Sequence, residues 1–248
     1  MSSAQAKDAI RHRVWALLER RGAADGDPAG RIPAFTGAEE AARLLASTDQ
    51  WRNANAVKVN PDRAQHQVRA LALAASKATY MAVPKLALDQ PFYLLNSLLP
   101  SYTPDEAATR DAAEAHSLLV GAEAMQRLDL VVSGSVAVNR DGARVGKGRG
   151  YADIEYGMLT EAGLIDDRTV IATTVHDLQV VDEAIPEEPH DFRVDLIVTP
   201  TRIIRCPRGR RPHGLHKDRL KPEQLAEIPL LDALMANQRT GAERAVEA

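Results

Sequence analysis

The 248-residue chain predicts an α/β fold, a mostly parallel sheet with helices on both faces. Three observations lead there. Runs rich in Val, Ile and Thr alternate with stretches of helical apolar spacing, the order from which parallel sheets are wound. The length suits one generous α/β domain. No internal repeat or low-complexity segment interrupts the alternation.

Taken in order, "AQAKDAIRHRVWALLERRG" places Ile10, Val14, Leu17 and Leu18 at helical spacing and stops at Gly22. "GAADGDPAGRIPAF" is a loop by composition, and "TGAEEAARLLAS" carries Thr36 and Glu39 as a capping box for the next helix. "NAVKV" reads as a strand. The following "NPDRAQHQVRALALAASK" reads as a helix with Asn60 as cap and Pro61 in its first turn. "ATYMAVP" is the next strand, and residues 85–110 read as an irregular surface connection. "LDLVVSGSVAVNRDG" gives a buried strand, a turn and a second strand ending at Asp141-Gly142. A helix from Tyr151 to Ala162, strands in "TVIATTV" and "VDLIVTPTRII", and a helical "KPEQLAEIPLLDALMANQ" interrupted at Pro229 complete the chain. Residues 1–205 form the expected domain; 206–248 form a basic extension, ending in a helix, packed on it.

Composition narrows the function. A net charge of -3 does not suit a surface built throughout for nucleic acid. The single Cys206 excludes an internal disulfide framework and a cysteine-rich zinc site. No apolar run approaches the roughly 20 residues of a membrane span, and "MSSAQAKDAIRHRVW" lacks the apolar core of a secretory signal. A cytoplasmic protein without a membrane partner is the expectation.

The chemistry concentrates in "RVGKGRGYADIEYG". Gly146, Gly148 and Gly150 allow close backbone approach to a ligand, and Arg144, Lys147 and Arg149 make an anionic ligand the natural one. A helix opening at Tyr151 would add free amides. The spacing fits neither the P-loop nor the dinucleotide fingerprint, and a solvated basic turn remains the alternative.

The order of pieces resembles the 5-formyltetrahydrofolate cyclo-ligases, also called methenyltetrahydrofolate synthetases. "GSVAVNRDGARVGKGRGYAD" is similar to their strand, glycine turn and Arg-x-Gly-x-Gly-x-Gly-Tyr-Tyr-Asp loop. "KDAIR", "NPDRAQHQVRALALAASK" and "HDLQVVDEAIPEEPHDFRVDLIVTPTR" resemble their other blocks. The likeness runs from Lys7 to about Arg202 and implies a cyclo-ligase-like single domain of the kind shared with NagB, RpiA and CoA transferases. "VHDLQVV", "TPTRII" and "RPHGLHKDRLKPEQLAEIPLLDAL" resemble a divergent branch containing the methenyltetrahydrofolate synthetase domain-containing proteins of animals, to which an RNA-recognition domain is appended; this sequence shows no such segment.

The resemblance implies an enzyme that uses ATP and Mg²⁺ to convert 5-formyltetrahydrofolate into 5,10-methenyltetrahydrofolate through a phosphorylated formyl group. It assigns ATP to Lys7, Arg11, Arg144, Gly146, Lys147, Gly148, Arg149, Gly150 and Tyr151. The folate-like substrate goes to Val57, Asp62, Tyr151 and Ala152, and the metal to Asp153 and Asp195. No residue is assigned as the catalytic acid or base. Two positions depart from the family pattern: Ala152 stands for its second tyrosine, and Asp62 for a glutamate that holds the pterin. They keep a second reading open, a paralogue with the same ATP site and another heterocyclic substrate, thiamine-related among the options. A third reading is a non-catalytic module that binds RNA or protein. The stretch "RIIRCPRGRRPHGLHKDRLK" could be a nucleic-acid patch, an additional phosphate grip or a solvated tail; without aromatic residues it offers bases no stacking platform. His176 reads as a structural histidine at a strand end, and Cys206 receives no catalytic role.

Overall fold

The computed structural model describes residues 2–209 and 211–231. Helix α1 (Ser3–Arg20) is capped by a reciprocal pair, the Ser2 hydroxyl accepting from the Gln5 amide and the Gln5 side chain from the Ser2 amide. Next come α2 (Ala38–Ala46), the single turn α3 (Asp49–Arg52), β1 (Ala56–Val59), α4 (His66–Ala74) and β2 (Ala78–Ala82). Residues 85–120 are more ordered than their composition suggests. They contain β3 (Phe92–Leu94), α5 (Pro104–Ala107), α6 (Arg110–His116) and β4 (Leu118–Val120). Then follow β5 (Leu130–Val132), β6 (Ala137–Asn139), β7 (Arg144–Val145), α7 (Tyr151–Glu161), β8 (Val170–Thr174) and β9 (Val180–Val181). Strands β10 (Leu196–Val198) and β11 (Ile203–Arg205) and helix α8 (Pro222–Glu227) close the series. The part of the expected C-terminal helix beyond residue 231 lies outside the described residues, as do Met1 and Arg210.

One sheet has the order β11-β10-β8-β5-β1-β2-β3-β4 and a smaller one β7-β6-β9. Its central strands, β10 through β2, are parallel, and antiparallel strands lie at both edges. Side-chain alternation assigns the two faces. Val57, Val59, Leu130 and Val132 pack with Leu45, Trp51 and Val68 from the α2–α4 side. Ala56, Val131, Ile171 and Ile197 pack with Ile154, Met158 and Leu159 of α7 on the other. Burying each such large apolar side chain contributes about 1.5–3 kcal/mol.

Two local expectations change. The Thr36–Glu39 box does not form, because the Thr36 amide donates to Ala23 O at 3.0 Å and Gly37 takes the cap position without a side-chain bond. The helix expected from Pro61 begins only at His66, after a 3-10 turn at Arg63–Gln65. Asn60 instead prolongs the strand ladder, its amide donating to Val132 O at 3.0 Å. That delay leaves Asn60, Pro61 and Asp62 at the C-terminal edge of the sheet.

Beyond β11 the chain turns back along α7. Arg211 donates to Asp166 O and Thr169 O, both at 2.9 Å, beside the C-terminal end of that helix. The Leu215 amide donates to Glu161 Oε1 at 3.0 Å, and Gln224 Nε2 reaches Arg149 O at 2.8 Å at the helix's other end. Gly157 permits this course: a Cβ there would lie 2.9 Å from Leu215 Cα and 3.0 Å from Gly214 O. Gly157→Ala should therefore lift the segment from the helix, at a cost of about 1–3 kcal/mol. Limited trypsin digestion should then cut faster at residues 205–221 than in wild type; an unchanged rate there would contradict the close packing.

Candidate active site

The strand order reverses around β1, with β5 on one side and β2 on the other. A crevice at the C-terminal strand ends is the usual ligand position in such sheets. Here it is a cavity of about 1170 Å³ lined by Asn60 and Asp62 after β1, Val83 after β2 and Gly134 after β5. Ligand sites commonly occupy about 300–1,000 Å³, so this one has room for more than a single small molecule.

The glycine loop forms a wall. It leaves the β6–β7 hairpin, and Gly150, in left-handed backbone at φ 74°, starts α7. A Cβ on Gly150 would stand 2.8 Å from the Gln224 amide nitrogen, so α8 seats directly on the loop. From α1, Lys7 and Arg11 present both cations from one face, four residues apart and largely buried. Arg11 Nε donates to Gly146 O at 2.7 Å and its guanidinium also pairs with Asp8, whereas Lys7 pairs with Asp191. Lys147 meets Asp62 at 2.9 Å, latching the loop to the end of β1. Arg149 also lines the cavity. The Tyr151 hydroxyl donates to Glu227 of α8, which Lys85 holds at 2.7 Å. Burial, then the Glu227 contact, pushes that phenol up to about 12.

Asp153 lies at the first turn of α7, 2.5 Å from Arg144 Nη2. Burial raises its carboxyl above the usual value against the Arg144 charge, and the nearby charge of Asp191 acts with the burial. Arg144 itself lies over the Phe192 ring at 3.8 Å, and that ring stacks on Tyr156 at 4.5 Å. Asp153 and Asp191 both line the cavity, as do Glu155 and Glu188 from the same segments. The two aspartates are hard oxygen donors suited to Mg²⁺, which takes one or two carboxylates and completes its shell with phosphate and water. Among the described residues no group of three or more His, Cys, Asp or Glu side chains forms a complete metal cage.

Two expected site residues lie elsewhere. Asp195 precedes β10 at the opposite, N-terminal edge of the sheet. It accepts from the Ile171 amide at 2.8 Å and from Arg211 at 2.6 Å and does not line the cavity. The strand pattern of "RVDLIV" draws attention to Asp195, while the acid that enters the site stands four residues earlier in "PHDF". Val57 is fully buried in the α2–α4 core, because alternation points it away from α7. Asp62, Tyr151 and Ala152 do line the cavity, as do all the residues assigned to ATP.

Sequence reading passed over two charged residues here, Glu155, which lines the cavity, and Lys58, buried behind it. Lys58 and Glu155 form a buried ion pair, and Lys58 Nζ also donates to Asn60 Oδ1 at 2.6 Å. Burial pushes the ammonium down to about 7, with Asp62 opposing and Arg144 assisting. Of the basic C-terminal segment, Arg219 and Lys221 line the cavity, while Arg202 pairs with Asp177 at 3.1 Å and Arg211 with Asp195. His176 caps a 3-10 turn through its Nδ1, and burial pushes the Cys206 thiol up to about 11.

The sequence model of 5-formyltetrahydrofolate cyclo-ligases matches residues 3–200. The chain belongs to that family. A methenyltetrahydrofolate synthase domain-containing protein of Mus musculus is 39% identical over 94% of this chain and 64% of its own length. The Homo sapiens protein of that name is 37% identical over 94% and 62%. This cyclo-ligase family member therefore spans less than two thirds of those relatives. A 5-formyltetrahydrofolate cyclo-ligase of Mycolicibacterium smegmatis is 33% identical over 34% of this chain and 39% of its own. The NMR structure of the Aquifex aeolicus 5,10-methenyltetrahydrofolate synthetase superposes with a TM-score of 0.52 at 16% identity, covering 88% of this chain and 99% of that one, a likeness of fold. Among the described residues no helix is long and apolar enough to cross a membrane.

Proposed function

We propose that the protein is a cytoplasmic ATP- and Mg²⁺-dependent ligase that closes a ring on a formylated, folate-like substrate, taking 5-formyltetrahydrofolate to 5,10-methenyltetrahydrofolate. The observation that carries this is one cavity wall on which Lys7, Arg11, Arg144, Lys147 and Arg149 gather around the glycine loop beside Asp153 and Asp191. Phosphoryl transfer requires little of a protein beyond alignment and charge compensation, and such a wall supplies both. The formyl oxygen takes the γ-phosphoryl group as ADP leaves. The folate's second nitrogen then adds to the activated formyl carbon, and phosphate carries the oxygen away as that nitrogen loses its proton. Lys7, Arg11 and the loop cations hold the polyphosphate, and Tyr151 flanks the ring. Asp153 and Asp191 are the carboxylates that would hold Mg²⁺, which would supply positive charge to offset that of the phosphates.

A second reading keeps the ATP wall and changes the heterocycle. It is favoured by Ala152, which removes an aromatic side chain from the wall, and by Asp62, already engaged by Lys147. RNA as a partner finds less support, since the basic segment pairs with Asp177, Asp195 and Glu188 and offers no aromatic platform.

The purified protein should be assayed for methenyl-product absorbance with 5-formyltetrahydrofolate, ATP and Mg²⁺, beside a calorimetric ATP titration. Turnover at an ordinary enzymatic rate supports the first reading; ATP binding without turnover favours the second. Loss of both would end the ligase reading. Within that assay, Asp191→Asn should shift the Mg²⁺ dependence and lower kcat by about 10²-fold or more. Asp195→Asn should leave the Mg²⁺ dependence where it is. The reverse pattern would return the metal to Asp195.

A further inference from the structure

Burying a lysine and a glutamate together is costly and rarely the cheapest way to stabilise a core. Lys58 and Glu155 nevertheless meet behind the cavity wall, Glu155 lining the cavity and Lys58 buried behind it, where hydrophobic packing was available on the same face of β1 and α7. Their placement is directional. Glu155 lines the cavity and takes Lys58 on Oε1, and among the described residues no hydrogen bond is made to its other oxygen. Asn60 also lines the cavity, and it spends its carbonyl oxygen on Lys58, which turns its amide nitrogen into an available donor. Near Asp62 and Gly134, Gln65 is fully buried with Oε1 unpartnered, 3.0 Å from where a Gly134 Cβ would sit, and the Ser133 hydroxyl beside Gly134 in sequence is likewise unpartnered. Asp62 is less free, because Lys147 already holds it.

We infer that Glu155, oriented by Lys58 and flanked by Asn60, is the specificity-determining carboxylate that receives the hydrogen-bond-donating edge of the substrate's ring, an amino-substituted nitrogen heterocycle. This rests on the ligase reading only in sharing its cavity; the recognition step needs no ATP. The floor matches an edge that offers its exocyclic amino group to Glu155 and an acceptor to Asn60. A ring without the amino group would leave the carboxylate oxygen desolvated and unpaired, the kind of mismatch that polar sites reject most strongly.

The test uses fluorescence titration of the full chain with pterin, which bears the amino group, and with 4-hydroxypteridine, which lacks it. ATP is titrated separately by calorimetry. Wild type should prefer pterin by about 10-fold or more. Glu155→Gln should erase the preference, because Lys58 would take the amide oxygen and turn the amide nitrogen, a donor, toward the ligand's donors. ATP affinity should be unchanged in this variant. Should Glu155→Gln fail to fold, the double variant Lys58→Met/Glu155→Leu replaces the pair with apolar side chains and should likewise bind the two probes equally. A preference retained in either variant, or no preference or no binding in wild type, overturns the inference; intact ATP binding in that case leaves the ligase reading standing.

Discussion

Lys58→Met should lower the stability of the folded chain by about 3–5 kcal/mol, the cost of leaving one member of a buried ion pair without the other. Glu155 would remain on the floor of the cavity facing the vacated position, with no other cation holding its carboxylate in the described contacts. The wild-type pair is neutral overall wherever its proton resides, so this penalty arises only when one partner is removed. Chemical denaturation should show a lower midpoint at an unchanged slope. The double variant Lys58→Met/Glu155→Leu should recover most of the loss, since two apolar side chains of similar volume suit that face of the sheet. If the double variant is as unstable as the single one, the lysine matters for its packing and not for its charge.

Arg144→Ala should produce the largest functional defect of any loop substitution. The guanidinium performs three tasks at once. It neutralises Asp153 at 2.5 Å, covers the Phe192 ring at 3.8 Å, and belongs to the cationic wall of the cavity. Removing it leaves a buried carboxylate without its partner and opens a gap over Phe192, for which about 3 kcal/mol of stability is a reasonable expectation. ATP affinity should fall by about 10-fold or more, as the loss of a charge-assisted contact to phosphate implies. Arg144→Lys should restore part of the stability and little of the affinity, because an ammonium cannot both stack on the ring and fork toward a carboxylate and a phosphate. Calorimetry with ATP and a thermal melt separate the two effects. Unchanged ATP affinity in Arg144→Ala would remove the loop from the nucleotide site.

The parts of this protein that could be read before folding were those whose meaning is local. The alternation of strands and helices, the Asp141-Gly142 turn and the helix opening at Tyr151 each depend on a few neighbouring residues. What was missed depends on direction and distance. Asp191 and Asp195 are four residues apart in one segment, and only the path of the chain across the end of β10 sends one to the cavity and the other to Arg211. Val57 and Lys58 are adjacent, yet the pleat gives the first to the α2–α4 core and the second to the α7 side, where it meets Glu155. Strands β3 and β4 are three residues each, too short for periodicity to register, and β4 leaves Leu118 and Leu119 exposed at the sheet edge. The basic segment admits three readings from sequence because its charges have different fates: Arg202 and Arg211 serve as anchors, and Arg219 and Lys221 reach the cavity.

The return of residues 211–227 along α7 also has a consequence for how the protein comes into being. The strands that surround the cavity are all made before residue 200, but the side chains that close its open flank, Arg219, Lys221 and Gln224, are synthesised after them. A nascent chain can thus complete its sheet on the ribosome while its binding site still lacks a wall. That wall is whole only once Gln224 reaches the Arg149 carbonyl and Glu227 meets Tyr151.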